Sequence, residues 1–245
     1  MSSPWLSLPL ADYEGHMSAP NVGQADLLAG VLADALKEFR PSSVAVIGCA
    51  GGNGFDRIDS LEVARVVGVD INPAFLEIAS SRYSGRFKQF DLHCSDIAGA
   101  RLEVEPVELI YAALVFEYVN VASALQNLFS ACREGGHLVS LLQMPSSTVS
   151  TVTPTAFTSL KALGEVLKCV DPHGFEEMAR NAGFELRRAT RVTSVAGKEF
   201  VLHVFQHRKP VESKDRPSKQ DLDAHSFPVF ESMLSSTLRA MRIAN

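Results

Sequence analysis

The stretch "SSVAVIGCAGGNGFDRI", residues 42–58, decides the fold prediction. Its β-branched run from Ser43 to Ile47 predicts a short buried strand, and four of the next seven residues are glycine. Glycines directly behind a strand let the chain turn tightly and let a ligand approach bare backbone. From Phe55 onward we predict a helix, whose first amide hydrogens can bind a negatively charged group. The stretch therefore predicts a strand, a turn and a helix around a ligand site.

Strand-like and helical patterns alternate on both sides of this stretch. We predict strands at residues 43–47, 64–69, 87–94, 109–113 and 137–142, and helices at 21–39, 74–81 and 121–132. Asn21 is the predicted cap of the first helix, and Glu134-Gly135-Gly136 is the predicted stop of the third. Alternation of this kind predicts an α/β fold whose parallel sheet is covered on both faces.

The last third of the chain has a different pattern. A helix is predicted from Asp171-Pro172 through Ala182, with a stop at Gly183. Two β-rich segments follow, residues 184–193 and 199–207, and the short connection between them predicts an antiparallel hairpin. We therefore expect one domain over residues 1–208, a polar linker at 209–225 and an amphipathic helix at 226–245. That helix can dock on the domain, join a dimer or cover the site.

The composition limits the possible functions. At 245 residues and 46% hydrophobic content, the chain can bury one sizeable core. A net charge of -5 gives no general attraction to nucleic acid or to an anionic membrane. Residues 1–20 carry acidic residues and prolines instead of a cationic start and an apolar run, which predicts a cytoplasmic protein. The four cysteines form no C-x-x-C pair and no compact cluster of histidines and carboxylates is present, so we expect no metal.

Two acidic residues stand at the predicted ends of the second and third strands. Asp70 follows Gly48 by 22 residues, where a carboxylate can accept hydrogen bonds from ribose hydroxyls, although it can equally cap the helix ahead of Pro73. Asp96 can accept from an exocyclic amine while Ile97 covers an aromatic base, although alone it is typical of a turn. With the glycine-rich turn, these residues predict a site for a nucleoside-containing cofactor.

At this point the sequence resembles the class I S-adenosylmethionine-dependent methyltransferases, over roughly residues 20–208. "VAVIGCAGGNG" is similar to the family's first motif, "DIN" to its ribose-binding motif, "SDIA" to its adenine-binding motif and "LIYAALVFEYV" to its fourth strand. The resemblance implies a Rossmann-like three-layer sandwich with a mostly parallel, seven-stranded sheet and an antiparallel terminal hairpin. It implies S-adenosyl-L-methionine as cofactor, with these binding residues: Gly48, Cys49, Ala50, Gly52, Asp70, Ile71, Asn72, Asp96, Ile97 and Ala113.

Two departures from the family pattern leave alternatives open. Val46 stands where an acidic residue is usual, and Ala50 replaces the usual second glycine. A non-catalytic cofactor-binding regulatory protein therefore remains an alternative. An NAD(P)-dependent short-chain-type oxidoreductase is another, because Gly48, Gly52 and Gly54 fit its glycine spacing. Such a reductase needs a lysine four residues after its catalytic tyrosine, and none of Tyr13, Tyr83, Tyr111 or Tyr118 has one.

The resemblance also implies where the methyl acceptor binds. Residues 1–20 correspond to the lid of such families and bring Tyr13, His16 and Met17 to the site. Glu117 and Tyr118, just past the fourth strand, can orient or deprotonate a nucleophile. The connection before the hairpin is longer than a crossover requires, and its Phe157 is a candidate substrate contact.

Small-molecule methylation is the predicted activity. The "AALVFEY" segment lacks the Asn-Pro-Pro-Tyr-like tetrapeptide of amino-methylating nucleic-acid enzymes. We therefore expect a small-molecule acceptor, no nucleic-acid or membrane partner, and a monomer or homodimer. The catalytic candidates are Glu117, Tyr118 and His16.

Overall fold

The computed structural model describes residues 3–146 and 150–208. Their strands form one sheet in the order β3-β2-β1-β4-β5-β7-β6. The strands are β1 (Ser43–Ile47), β2 (Arg65–Asp70), β3 (Gln89–Cys94), β4 (Val107–Ala113), β5 (Cys132–Gln143), β6 (Phe184–Thr193) and β7 (Glu199–His207). Strands β1 to β5 run parallel, and β7 runs antiparallel to both β5 and β6. The predicted fold class is confirmed; the predicted linker and terminal helix lie outside the described residues.

Helices cover the sheet and connect its strands. They are α1 (Leu10–Ser18), α2 (Gln24–Phe39), α3 (Pro73–Tyr83), α4 (Val121–Ala131), α5 (Lys161–Val166) and α6 (Pro172–Ala182). Helix α6 begins and ends as predicted. The Asp171 carboxylate accepts a hydrogen bond from the Gly174 amide at 2.7 Å, and Gly183 ends the helix at φ 111°. None of the described helices is both long and apolar enough to span a membrane.

Both faces of the sheet are packed. On one face, α2 and the loop after β1 bury residues such as Leu32 and Phe55 against the strands. On the other face, α4 and α6 bury Leu125, Phe175 and their neighbours. Each large side chain that is fully buried in this way contributes about 1.5–3 kcal/mol. The strand ends are therefore the part of the sheet left open for a site.

The helix predicted from Phe55 does not form. Between β1 and β2 the chain makes only a single 3-10 turn, Phe55–Arg57. The Asp59 carboxylate then accepts a hydrogen bond from the Leu61 amide at 2.8 Å, and such local side-chain bonds compete with helix formation. The prediction was wrong because the turn at Asp59 interrupts the segment, while Phe55, Ile58 and Val63 are buried in the core on either side of it.

Two predicted boundaries were also wrong. Helix α2 begins at Gln24 behind Gly23, and the Asn21 side-chain amide instead donates to the Pro154 carbonyl at 3.1 Å. The predicted helix stop, residues 134–136, lies inside β5. The pairing of β5 with β4 shifts register there, and Gly135 has φ 76°. These glycines accommodate an irregularity in the strand rather than the end of a helix.

Candidate active site

A cavity of about 420 Å³, which we call the strand-end cavity, opens at the carboxyl ends of the parallel strands. Four consecutive strand ends contribute to its wall. The lining includes Ile47 and Gly48 after β1, Val69 to Ile71 after β2, Ser95 to Ala98 after β3, and Ala113 to Val115 after β4. This is the location at which open α/β sheets bind ligands.

Asp70 is fixed in the wall of the strand-end cavity by two backbone amides. Its Oδ2 accepts from the Ala50 amide and its Oδ1 from the Asn72 amide, each at 2.9 Å. Burial raises the pKa of this carboxyl group, while the backbone hydrogen bonds oppose the rise. Each carboxylate oxygen has two acceptor positions, so each retains one for a ligand hydroxyl.

The glycine-rich turn brings neighbouring loops into close contact. Gly48 has φ 67°, and a Cβ atom there would lie 2.8 Å from Cγ2 of Val115. Ala50 also adopts a left-handed φ of 48°. The Gly48 and Cys49 amides donate to the Val69 carbonyl at 2.8 and 3.2 Å. The amides of residues 48–50 are therefore already bonded within the protein, and the expected anion site at a helix start is absent from this turn.

Seven of the ten predicted cofactor residues line the strand-end cavity: Gly48, Ala50, Asp70, Ile71, Asp96, Ile97 and Ala113. The other three do not. Cys49 is buried in the core. Gly52 lines a separate cavity with Arg82 and Tyr83. Asn72 caps α3 and donates to the Trp5 carbonyl at 2.8 Å.

An aromatic group that sequence reasoning missed closes one side of this cavity. Trp5 packs edge-on against Tyr13, with ring centroids 5.7 Å apart, and against Tyr118 at 5.0 Å. Trp5 is the only tryptophan in the chain, and that rarity near the predicted lid was the available signal. The hydrogen bond from the Asn72 side chain to the Trp5 carbonyl holds Trp5 beside the turn that follows Asp70.

A second cavity of about 50 Å³, which we call the inner pocket, lies next to the first. The two share Trp5, Tyr13, Leu114 and Tyr118. The inner pocket also brings together the predicted residues His16, Met17 and Glu117. Phe157 lies outside it, with its ring packed on the backbone of Gly15.

Glu117 is the buried acid of the inner pocket. Its side chain is 2% exposed, and Oε1 accepts from the Gln143 amide at 2.7 Å. Oε2 is buried without a hydrogen-bond partner. Burial raises the pKa of Glu117 to about 7, against the opposing effect of backbone hydrogen bonds. A carboxyl group that titrates near neutrality is suited to accept a proton.

Two basic side chains line the same pocket. His16 Nδ1 lies 3.0 Å from Oγ1 of Thr155, and burial, followed by the nearby Lys198, lowers the His16 pKa. Lys198 donates from Nζ to the Thr151 carbonyl at 2.8 Å, and burial lowers its pKa. Lys198, Gln24 and Gln143 were missed by sequence reasoning. Lys198 stands at the end of a hairpin turn, a position whose sequence pattern predicts exposure.

Two segments cover the inner pocket and bond to each other. The Ser159 hydroxyl donates to the Asp12 carboxylate at 2.6 Å, and His16 and Asn21 contact Thr155 and Pro154. Helix α1 also carries Glu14, which pairs with Arg82 of α3. Within the described residues, no three or more His, Cys, Asp or Glu side chains are grouped to hold a metal ion.

Comparison with known proteins agrees with this geometry. A family model described as a methyltransferase domain matches residues 45–140. No curated protein is a significant match to the sequence.

Solved structures share the fold at low identity. The N-methyltransferase NodS from Bradyrhizobium japonicum WM9, in complex with S-adenosyl-L-homocysteine, has a TM-score of 0.58 and 17% identity, over 76% of this chain and 88% of that one. Magnesium protoporphyrin IX methyltransferase from Synechocystis PCC 6803, also with bound S-adenosyl-L-homocysteine, has a TM-score of 0.57 and 14% identity over 77% and 84%. The [4+2]-cyclase SpnF has a TM-score of 0.56 and 12% identity, over 74% of this chain and 82% of that one.

The family model and the solved structures point the same way. Residues 45–140 match a methyltransferase domain, and the sheet order with its antiparallel β7 is the Rossmann-like fold that these solved methyltransferases share.

Proposed function

We propose that this protein transfers a methyl group from S-adenosylmethionine to a small-molecule acceptor, with the cofactor in the strand-end cavity and the acceptor in the inner pocket. The observation that carries the proposal is the shared wall of Trp5, Tyr13, Leu114 and Tyr118 between the two cavities. Methyl transfer requires donor and nucleophile side by side in a site that excludes water.

The strand-end cavity has the chemistry that a nucleoside needs. Asp70 retains free acceptor positions for ribose hydroxyls. We assign the adenine to the wall formed by Asp96 and Ile97, a polar acceptor beside a buried apolar surface. Two structural neighbours are solved with S-adenosyl-L-homocysteine, which supports the same assignment here.

The residues of the chain assist a reaction whose electrophile the cofactor supplies. S-adenosylmethionine brings a methyl group on a positively charged sulfur. Tyr13 and Tyr118 line both cavities, and we propose that their rings exclude water from the boundary between them. We propose that Glu117, with its free Oε2, takes the proton that the acceptor releases, and that His16 contacts the acceptor.

Several observations support a small acceptor over a macromolecule. The inner pocket is small and is covered by α1 and by residues 150–167. The net charge of -5 does not favour nucleic acid. We propose residues 1–20 as the lid, with Met17 as an acceptor contact. We also propose a cytoplasmic location and a monomeric or homodimeric state. Light scattering after size-exclusion chromatography tests the oligomeric state.

Isothermal titration with S-adenosylmethionine, S-adenosyl-L-homocysteine and NADPH tests the proposal. We expect both sulfur compounds to bind and NADPH not to bind. Binding of NADPH alone would reinstate the oxidoreductase alternative. If the cofactor binds but isotope-labelled methyl reaches no acceptor in a broad metabolite screen, the regulatory alternative is favoured.

A further inference from the structure

The inner pocket contains two buried side chains of opposite charge, and neither has a charged partner among residues 3–146 and 150–208. Glu117 and Lys198 both line it, at 2% and 5% exposure. They do not form an ion pair with each other: the hydrogen bonds of Glu117 come from backbone amides, and that of Lys198 goes to a backbone carbonyl. An isolated buried charge is costly, so each needs compensation from another source.

Glu117 lines the inner pocket and has one unused hydrogen-bond acceptor. Oε1 is occupied by the Gln143 amide, and Oε2 has no hydrogen-bond partner. An unpartnered carboxylate oxygen of this kind is satisfied by an N–H or O–H donor. A ligand with such a donor would complete the hydrogen bonding of Glu117.

Lys198 has unused hydrogen-bond donors and lacks an anionic partner among the described residues. Its ammonium group carries three donors, and the Thr151 carbonyl uses one of them. Among the described residues, no acidic side chain pairs with it. Burial lowers the pKa of Lys198, and the nearby Cys169 opposes this effect. An anionic ligand group would neutralise this cation and use its remaining donors.

We propose that the acceptor is a small dipolar molecule, which presents an N–H or O–H nucleophile to Glu117 and an anionic group such as a carboxylate to Lys198. This inference rests on the proposed function, because it names the substrate class of the same site. A volume of about 50 Å³ accommodates roughly three to five water-sized groups, which is the size of a small amino or hydroxy acid.

The test uses the full-length protein saturated with S-adenosyl-L-homocysteine and ligand-observed NMR. The probes are glycine and glycolate, which carry both groups, ethylamine and propionate, which carry one each, and propionamide, which is uncharged. We expect glycine or glycolate to bind at least about ten-fold more tightly than any single-group probe. The comparison of glycine with glycolate distinguishes an amine from a hydroxyl nucleophile.

Variants assign each preference to its residue. Glu117→Gln should remove the preference for probes that carry an amine or hydroxyl. Lys198→Met should remove the preference for probes that carry a carboxylate, whereas Lys198→Arg should keep that preference. Glu165→Gln and Lys88→Met are matched controls, because both of these side chains are exposed. Retained binding of S-adenosyl-L-homocysteine shows that each variant is folded.

The outcomes separate this inference from the proposed function. If the wild-type protein fails to bind S-adenosyl-L-homocysteine, the proposed function itself fails. If it binds that compound but no dipolar probe, or binds propionamide equally well, the inference alone is overturned. Unchanged probe ranking in both Glu117→Gln and Lys198→Met would also overturn it.

Discussion

The strand-end cavity and the inner pocket share a wall but are built in different ways. In the strand-end cavity, Gly48, Asp70 and Asp96 lie at or directly after the ends of parallel strands, so the sheet topology brings them to one edge. The inner pocket draws on segments from Trp5 to Lys198, which meet only through packing. A site that topology assembles is visible in a linear pattern, whereas a site that packing assembles includes residues that no such pattern marks, here Gln24, Gln143 and Lys198.

The two cavities also differ in how their acidic residues are held. Asp70 has a backbone amide on each oxygen, whereas Glu117 has one on Oε1 only. The first arrangement fixes both carboxylate oxygens in place. The second leaves Oε2 without a partner among the described residues, and burial raises the pKa of Glu117 to about 7.

Substitution of Gly48 should break the strand-end cavity with the largest effect. In Gly48→Val, the left-handed backbone costs about 1–2 kcal/mol, and overlap with Val115 adds about 1–3 kcal/mol. We expect affinity for S-adenosyl-L-homocysteine to fall by about 100-fold or more, as measured by titration calorimetry. Gly85→Val is the matched control, because Gly85 also has positive φ (83°) but no atom within 4 Å of the added Cβ. Equal loss of affinity in both variants would contradict the steric explanation.

The inner pocket can be tested through the pH dependence of stability. Because the folded pKa of Glu117 is raised from 4.5 to about 7, the folded protein holds a proton that the unfolded chain releases in this window. Wild-type stability therefore falls as pH rises from about 4.5 to 7. Glu117→Gln should remove this loss, on the order of 3 kcal/mol, in urea unfolding at several pH values.

Two controls accompany the Glu117 measurement. Glu165→Gln, at an exposed position, should leave the pH profile unchanged. Affinity of Glu117→Gln for S-adenosyl-L-homocysteine should stay within about two-fold of wild type, since Glu117 does not line the strand-end cavity. A large loss of that affinity would mean that the two sites are not separable.

Asp70→Asn should weaken cofactor binding by on the order of 1–3 kcal/mol, because it removes an acceptor from a buried ligand and disturbs one backbone bond. The comparison uses Asp59→Asn. Asp59 is exposed, and like Asp70 it accepts a hydrogen bond from the amide two residues later. Calorimetry should show a loss for Asp70→Asn and none for Asp59→Asn. Unchanged affinity in Asp70→Asn would remove the ribose assignment.

The smallest expected effect is on the lid. Glu14→Gln breaks a partly exposed ion pair between α1 and α3, which should cost about 0.2–1 kcal/mol of unfolding free energy. Glu38→Gln is the control. It breaks a similarly exposed ion pair, between Glu38 and Arg188, and neither of these residues lines the strand-end cavity or the inner pocket. We expect similar stability losses and, for Glu14→Gln alone, up to about three-fold weaker cofactor binding. Equal cofactor affinity in the two variants would contradict a contribution of the lid to cofactor binding.

An unpartnered buried polar atom does not mark a site by itself. His203 has no hydrogen-bond partner on either ring nitrogen, and it stacks on Phe205 with its Nε2 3.4 Å from the Glu176 carboxylate. It lines neither the strand-end cavity nor the inner pocket. Glu117 differs because it lines the inner pocket.

Much of the fold was predictable because its signals are local. The hairpin β6–β7 and helix α6 match the predicted bounds, since their caps, turns and alternation lie within short windows. The failure at Phe55 has the opposite cause: the turn at Asp59 and the core contacts of Phe55 compete with a helix, and that balance depends on packing.

The amino-acid sequence by itself determined the order of the seven strands, four of the six described helices and the residues at the strand ends, because periodicity and turn chemistry act over a few neighbouring residues. Only the tertiary structure decided the inner pocket. Its hydrogen bonds join residues 26, 47 and 139 positions apart, from Glu117 to Gln143, Thr151 to Lys198 and His16 to Thr155. Such contacts form only when the assembled sheet brings distant segments together, so no local pattern encodes them.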